Sequence, residues 1–538
     1  MRESYRHTTR RRVVATLGAL TLGLISVGGA AAPAMAADPV FGDINQGATG
    51  SIVVHKGVQQ GGTAQGTPSG TAPSGFVGLA GVQFTAYKID SVDLTKTTDW
   101  VTLNGWATTP PTSIADGTAC NALPPTVTGA TVSSAGTTSG TTPSSGLATI
   151  AGLSVGAYVV CETQSPNTVV DKAQPFIVSV PYPDTTTGGW LYNPHVYPKN
   201  GIATMTKSVT AQAATSLGLG SAASFPVTTT VPLIASGAQF THFWIQDPLD
   251  PGLTGGAATV TASGLTTGMY TVEPASVANG NTVTVIFNNG GLQWLKSHAG
   301  ATITTTFTGT VSAVGAIKNK AYLDSATAVL GAAPTPTAPD TAPGHDNPGN
   351  PNNPANPTNT NSPRTPSNEV ATNWGAVKIF KVDSSTPATG LTGAVFEVYD
   401  ALTPYPATAS ACTIDTNGNA ISAGGSASFA STAGVVTIPG LFVSDSVSND
   451  SGFRCYVLKE ITAPLGYVRP ANAYTAVAAT TVAPGTGFNA TIPNTQINGV
   501  VLPMTGSNGI VALTMAGLAL IAAGLLLAIL ARRRKQTA

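Results

Sequence analysis

Outside its two ends this 538-residue chain is built from short runs of β-branched and aromatic residues separated by Gly, Pro, Asn and Ser. Ser51-Ile52-Val53-Val54-His55, Thr282-Val283-Thr284-Val285-Ile286-Phe287 and Ala376-Val377-Lys378-Ile379-Phe380 are examples. Such runs suit a pleated, half-buried surface and are too short to hold isolated helices. No long 3.6-residue periodicity lies between the ends, so the pattern predicts an all-β chain of tandem sandwiches. The 60 glycines and 39 prolines fit frequent turns without a collagen-like period. The length accommodates roughly three or four domains.

Charge narrows the function classes. Only 9% of residues are charged, against about 25% in an ordinary soluble domain. Nine of the 24 basic residues (Arg2, Arg6, Arg10, Arg11, Arg12, Arg532, Arg533, Arg534 and Lys535) and one of the 24 acidic ones (Glu3) sit in the end segments. That leaves 15 basic against 23 acidic residues in the body. A mildly acidic body argues against a nucleic-acid partner. The six histidines show no metal-ligand spacing. No CxxC pair, phosphate-cradling glycine loop or Ser-His-Asp set stands out, so neither a metal nor a cofactor is expected. A hydrolase would need a paired-carboxylate or nucleophile motif, and none stands out.

The ends set the compartment. Residues 1–36 read as a signal peptide: an Arg-rich start, an apolar run over 13–20 and the cleavage site Ala34-Met35-Ala36. Its arginines are paired, as in Tat export, but Sec is the better fit. Residues 510–531 are 22 uncharged positions followed by Arg532-Arg533-Arg534-Lys535. That run can span a bilayer with the basic cluster on the cytoplasmic side. Immediately upstream stands Leu502-Pro503-Met504-Thr505-Gly506. With the span and basic tail behind it, this motif resembles the cell-wall sorting signal that sortase transpeptidases cut between Thr505 and Gly506. The resemblance implies a chain exported by a Gram-positive type of cell and held in the membrane as a precursor. The Thr505 carbonyl is then transferred to an amine.

A quasi-repeat divides the body. Leu79-Ala80-Gly81-Val82-Gln83-Phe84-Thr85-Ala86-Tyr87 is echoed by Leu391-Thr392-Gly393-Ala394-Val395-Phe396-Glu397-Val398-Tyr399. Each copy follows a strand bearing a lysine, Lys56 or Lys381, and precedes a strand bearing a cysteine and a glutamate. The expected organisation is a first domain over 37–200, a different middle domain over 201–331 and a Pro/Asn/Thr-rich spacer over 332–366. A third domain over 367–501, related to the first, precedes the sorting motif at 502–506 and the membrane segment and tail at 507–538. The first domain holds Cys120 and Cys161, the third Cys412 and Cys455, and the middle domain none. In an exported chain this predicts one disulfide within each outer domain.

The repeated units resemble the prealbumin-like domains of SpaA-type pilins, the shaft subunits of sortase-assembled Gram-positive pili. The most specific element is Tyr456-Val457-Leu458-Lys459-Glu460-Ile461-Thr462-Ala463-Pro464-Leu465-Gly466-Tyr467, which matches that family's E-box except at Ile461, where Thr is usual. The resemblance implies immunoglobulin-like CnaB- and CnaA-type sandwiches. In them a first-strand lysine joins a last-strand asparagine while an acid promotes the reaction. The chemistry is intelligible. A lysine buried in apolar surroundings loses its proton more readily and becomes nucleophilic, and a buried carboxylic acid can polarise the amide.

For the third domain the set is Lys381, Asn494 and Glu460. Val377, Ile379 and Lys381 share one strand face, although strand phase alone leaves Lys378, beside Phe380, as an alternative. For the middle domain the set is Lys207, Asn319 and Asp247. For the first it is Lys56, Asn200 and Glu162, where Gln164-Ser165-Pro166-Asn167 departs from the E-box. Both cysteines stand an odd number of positions from their glutamates, so they should face away from this chemistry. Tyr197-Pro198-Lys199-Asn200 resembles the pilin motif and implies an accessible Lys199 whose amine joins Thr505 of another subunit.

The expected function is therefore structural: a major pilin polymerised by a class C (pilin-type) sortase, in covalent contact with identical subunits. Tip or base pilins are further expected partners, as is peptidoglycan, reached through a housekeeping sortase. The other reading is a wall-anchored adhesin that is never polymerised. The only chemistry expected of the chain itself is single-turnover bond formation within its own domains.

Overall fold

A computed structural model describes residues 44–61, 65–184, 187–276, 281–329, 364–385, 387–482, 485, 487–497 and 507–535. The signal peptide, most of the spacer and Leu502-Pro503-Met504-Thr505-Gly506 lie outside the described residues. The body is three β-sandwiches followed by an apolar helix, Ser507–Lys535.

In the first domain, Gln83–Ile89 and Gly156–Gln164 lie at the centre of an antiparallel sheet edged by Val132–Thr138 and Phe176–Val180. One face packs on Ile52, Val54 and Ile150 from the facing strands, with Phe84 and Val160 inside. The other face packs under a helix, Thr97–Thr108, through Ile89, Trp100, Leu103, Val159 and Cys161. Two-sided burial explains why Phe176–Val180 is apolar at every position but Ser179. The 3.6-residue pattern did not announce that helix. Only Trp100 and Leu103 of its residues are buried, so it has no apolar stripe and owes its place to packing on the sheet. Cys120, just beyond it, is bonded to Cys161 across a sequence separation of 41. Cys412 is likewise bonded to Cys455.

The middle domain packs a sheet ordered Thr204–Lys207, Ala222–Thr230, Thr302–Val311, Leu253–Thr261 on a second sheet centred on Ala238–Pro248. A second unannounced helix, Asn289–Ser297, is capped by the Asn288 side chain accepting from Gly291 N at 3.2 Å. Thr365–Pro366, grouped by composition with the spacer, forms a strand against Tyr322–Val329. Arg364 pairs with Asp324 at 3.1 Å, and Asn368 bonds the Lys207 backbone. Composition registers a spacer by its Pro and Asn content and is blind to so short a pairing.

The third domain is built on Val370–Asp383, which pairs with Val435–Asp445 on one side and runs parallel to Ala490–Gln496 on the other. Its opposing sheet is centred on Val395–Ala401 and Phe453–Thr462. The middle and third domains are not independent. Gly315–Asn319 pairs antiparallel with residues 370–374, and one apolar core runs from Phe225 and Phe307 through to Trp374 and Ile438. Leu219 N donates to Gly440 O at 2.9 Å and Phe442 N to Leu217 O at 2.7 Å. Between them, a Cβ on Gly218 would stand 1.9 Å from the Ser422 carbonyl oxygen. Gly218→Ala must therefore separate the two backbones. It should destabilise the joint by about 1–3 kcal/mol and, in calorimetry, split the middle and third domains into separate transitions. An unchanged single transition would show that this contact does not couple them.

Candidate functional site

Each sandwich buries one lysine against one acid and one asparagine. In the first, alternation along the opening strand turns Ile52, Val54 and Lys56 inward, and Lys56 is 0% exposed. Its ammonium lies 5.5 Å from the centre of the Phe84 ring. Nζ donates to Glu162 Oε2 at 2.8 Å and to Asn200 Oδ1, while Asn200 Nδ2 donates to Glu162 Oε1 at 2.6 Å. Asn200 Oδ1 also accepts from the Ala173 backbone N–H at 2.6 Å, a donor aimed at the oxygen where charge gathers if the amide is attacked. Burial pushes the Lys56 amine down to about 8, with the Glu162 charge pulling in the other direction.

The third domain repeats this geometry. Lys381 is buried with Val377 and Ile379, whereas Lys378 faces outward with its ammonium 5.2 Å from the Phe488 ring. Lys381 Nζ donates to Asn494 Oδ1 and to Ile492 O at 2.9 Å, and lies 3.6 Å from Glu460 Oε2. Asn494 Nδ2 donates to Glu460 Oε1 at 2.6 Å. Burial lowers the Lys381 pKa. In both domains the acid meets the amide nitrogen, and the amide oxygen is left to the lysine. Cys161 and Cys455 pack into clusters apart from these groups.

In the middle domain, Lys207 Nζ meets Asp247 Oδ2 at 2.7 Å, between the rings of Phe225 and Phe307 at 5.5 and 5.2 Å. Asp247 sits within the strand Ala238–Pro248. Burial drives Lys207 down and Asp247 up, both toward the neutral form. Asn319 is 1% exposed and close enough to Asp247 to favour its ionised form. Yet among the described residues neither its amide atoms nor Asp247 Oδ1 make a hydrogen bond of good geometry.

Lys199 is the neighbour of Asn200 and points the other way, half-buried and not fully open to solvent. Its strand, Lys199–Ile202, runs parallel to Gly57–Val58 and antiparallel to Val169–Asp171. Thr505 lies outside the described residues. Sequence reasoning did not foresee the Ala173 N–H. Nor did it find Asp171, a buried acid that accepts from Ala235 N at 2.7 Å and from Thr327 Oγ1 at 2.6 Å, tying the first domain to the middle one. Neither sits in a motif.

Residues 47–201 match the family of the Gram-positive pilin subunit D1 N-terminal domain, and residues 494–537 match the LPXTG cell wall anchor motif. Fimbrial subunit type 2 of Actinomyces naeslundii is 37% identical over 557 residues, covering 98% of both chains. Fimbrial subunit type 1 of Actinomyces viscosus is 30% identical over 589 residues, covering 97% of this chain and 98% of that one. The chain belongs to the Gram-positive fimbrial subunits. The full-length major pilin SpaD from Corynebacterium diphtheriae shares the fold, with a TM-score of 0.61 over 85% of this chain and 99% of that one at 22% identity. The major pilin SpaA of the same organism gives 0.54 over 83% and 100% at 21% identity; its structure points to a modular pilus assembly with stabilising isopeptide bonds. This fimbrial subunit is thus a structural, wall-anchored pilus protein, and the helix Ser507–Lys535 fits its membrane-held precursor.

The buried amine gives a pH signature. As a free amine Lys56 has a folded pKa near 8 against about 10.4 unfolded. Between those values the unfolded chain holds the extra proton, so stability should climb as pH rises through that window and be lost as pH falls toward 8. The expected gain is of order 3 kcal/mol relative to a subunit with Lys56→Met, which has no amine to titrate. Denaturant melts of an Asn200→Ala subunit and of the same subunit with Lys56→Met, at intervals from about pH 7.5 to about 10.5, measure it, and parallel curves would refute it.

Proposed function

We propose that this fimbrial subunit is a shaft pilin polymerised by a pilin-type sortase through Lys199 and Thr505. We further propose that each of its sandwiches is closed by an internal amide. The sortase, after cutting between Thr505 and Gly506, holds Thr505 as an acyl-enzyme. Lys199 Nζ of another subunit attacks that carbonyl, forming the inter-subunit amide and releasing the enzyme. A housekeeping sortase joins the finished polymer to peptidoglycan, and tip or base pilins take the remaining positions. The adjacency of Lys199 and Asn200 on a single strand, one turned outward and one into the buried cluster, carries this reading.

Within each sandwich the neutral lysine Nζ bonds to the asparagine Cγ, the Cγ–Nδ2 bond breaks and ammonia leaves. The pairs are Lys56–Asn200, Lys207–Asn319 and Lys381–Asn494. Glu162 touches both nitrogens, so it can take a proton from Nζ and return it to the departing Nδ2. Glu460 accepts from Asn494 Nδ2 and lies 3.6 Å from Lys381 Nζ, a gap it must close to take the proton, and Asp247 serves Lys207 and Asn319. The Asn319 amide supports the reading: it lies beside Asp247 without a hydrogen bond of good geometry and so is poorly satisfied where it is buried, and attack by Lys207 would convert it into a linked amide.

Boiled wall extracts separated in SDS should show a ladder for the parent. Lys199→Ala should leave only the monomer, still anchored at the wall. Arg at 199 should fail as well, because a guanidinium keeps its proton and is a poor nucleophile. A ladder from either variant removes Lys199 from the mechanism, and a single band from the parent means a wall-anchored adhesin.

The internal bonds are read separately by mass. The disulfide-reduced parent should be lighter than its sequence by one ammonia for each bond. Glu460→Ala and Asp247→Ala should each restore one ammonia. A parent at full mass would sink the internal amides and leave the three lysines as buried ion pairs.

A further inference from the structure

The strand leading into Lys199 is held by a row of rings that the chemistry above does not use. His55 Nε2 and His195 Nδ1 lie 2.7 Å apart, with their rings stacked at 5.0 Å. Tyr197 stacks on His55 at 4.7 Å, and Phe76 meets both His55 and Tyr197 edge-on. His195, Tyr197 and Lys199 share one strand face by the two-residue period. The parallel pairing sets Val53 beside His195 and Gly57 beside Lys199. Residues 65–76 fold over the row. His195 N donates to Pro68 O at 2.9 Å, and a Cβ on Gly66 or Gly70 would stand 2.3 Å from the Tyr197 ring or 3.1 Å from the His195 ring.

We propose that His55, His195 and Tyr197, closed over by residues 65–76, are positioning residues for Lys199. They form a clasp that holds the linking strand while the histidine pair carries at most one proton, and frees it when both rings are protonated. The importance of the clasp rests on Lys199 being the linking amine.

The pair has one N–H···N bond when neutral and keeps it with one added proton. A second proton puts donors on both facing nitrogens and two positive charges side by side. Among the described residues no carboxylate acts on either ring. On the linking strand the facing titratable groups are Tyr197, kept neutral by burial, and Lys199. On the pair's own strand Lys56 turns into the core. Residues 65–76 and the neighbouring strand Leu147–Ser154 carry no charged side chain. Burial lowers both histidines, and His195 lowers His55 further. The clasp should therefore be fully stable above the ordinary histidine range and be lost as pH falls below it.

The test is hydrogen–deuterium exchange on the full chain in detergent, corrected for intrinsic rates, at about pH 7 and about pH 5. Exchange over residues 194–201 should rise about tenfold or more in acid while Gly156–Gln164 stays protected. In His195→Gln, which cannot acquire the charge, that rise should vanish. The strand is then either protected at both pH values through the amide, or loose at both because the ring is gone, and each outcome ties its order to His195. The same acid-dependent rise in His195→Gln, or none in the parent, overturns the clasp. Exchange does not depend on sortase. A ladder that survives Lys199→Ala alongside a working clasp would therefore defeat the linking reading alone.

Discussion

Each sandwich is organised around an amine that would be charged in water and is denied water. Removing an ammonium from solvent costs several kcal/mol, and one carboxylate repays that only when the remaining polar atoms are satisfied. Lys56 comes close, because Glu162 bonds both it and Asn200, whereas Glu460 bonds Asn494 and leaves Oε2 without a hydrogen bond 3.6 Å from Lys381. Lys207 does not: the shorter Asp247 meets the amine, and among the described residues the Asn319 amide makes no hydrogen bond of good geometry. As non-covalent clusters these are poor investments of stability. As precursors of an amide they are ordered reactants, with the nucleophile made available by the same burial that makes it costly.

The two glutamate clusters are produced by one rule of register. In the first domain Asn200 pairs in parallel with Val58, two residues beyond Lys56. In the third, Asn494 pairs in parallel with Asp383, two residues beyond Lys381. Two residues along a strand return the side chain to the same face, so lysine and asparagine both point inward and meet across adjacent strands. The glutamate comes from the opposing sheet, and the neighbouring positions that face away from it are free for the cysteines. Moving either strand by one residue would turn the lysine or the asparagine outward.

Much of this was legible before any coordinates. Alternation grouped Val377, Ile379 and Lys381 on one face and left open whether that face or the one with Lys378 turns inward, and the distribution of the four cysteines in an exported chain predicted the two disulfides. Lys199 was only partly anticipated, since pairing on both edges of its strand leaves it half-buried. The helix Thr97–Thr108 escaped because most of its surface is exposed and its sequence lacks a stripe. The pairing of residues 315–319 with residues 370–374 escaped because the segment between them has the composition of a spacer, which hides a strand pair formed across it. The histidines read as scattered along the chain, yet parallel pairing brings His55 and His195 together from 140 positions apart. A one-dimensional spacing rule sees contacts made by a helix or a tight loop and is silent about those made by a sheet.

The adjacency of residues 199 and 200 also bears on how tension would travel along a shaft. A pull arriving at Lys199 through the proposed inter-subunit amide reaches Asn200 one residue later. From there the proposed internal amide passes it to Lys56 on the opening strand, without drawing on the hydrogen bonds that pair the two strands. In the middle domain, Lys207 on the first strand and Asn319 on a late one bracket the sandwich in the same way. Residues 315–319 then pair directly with the start of Val370–Asp383, the strand that carries Lys381 toward Asn494. Hydrogen bonds in a ladder fail at modest load because each contributes only about 1 kcal/mol net, whereas an amide must be broken chemically. The peptide segments that remain outside the ties are the joints, and non-covalent contacts hold them. Asp171 bonds Ala235 and Thr327 at one joint, and Gly218 lies against Ser422 at the other. Extension under load would therefore begin at the joints, with the three lysine-bearing cores the last parts of the subunit to open.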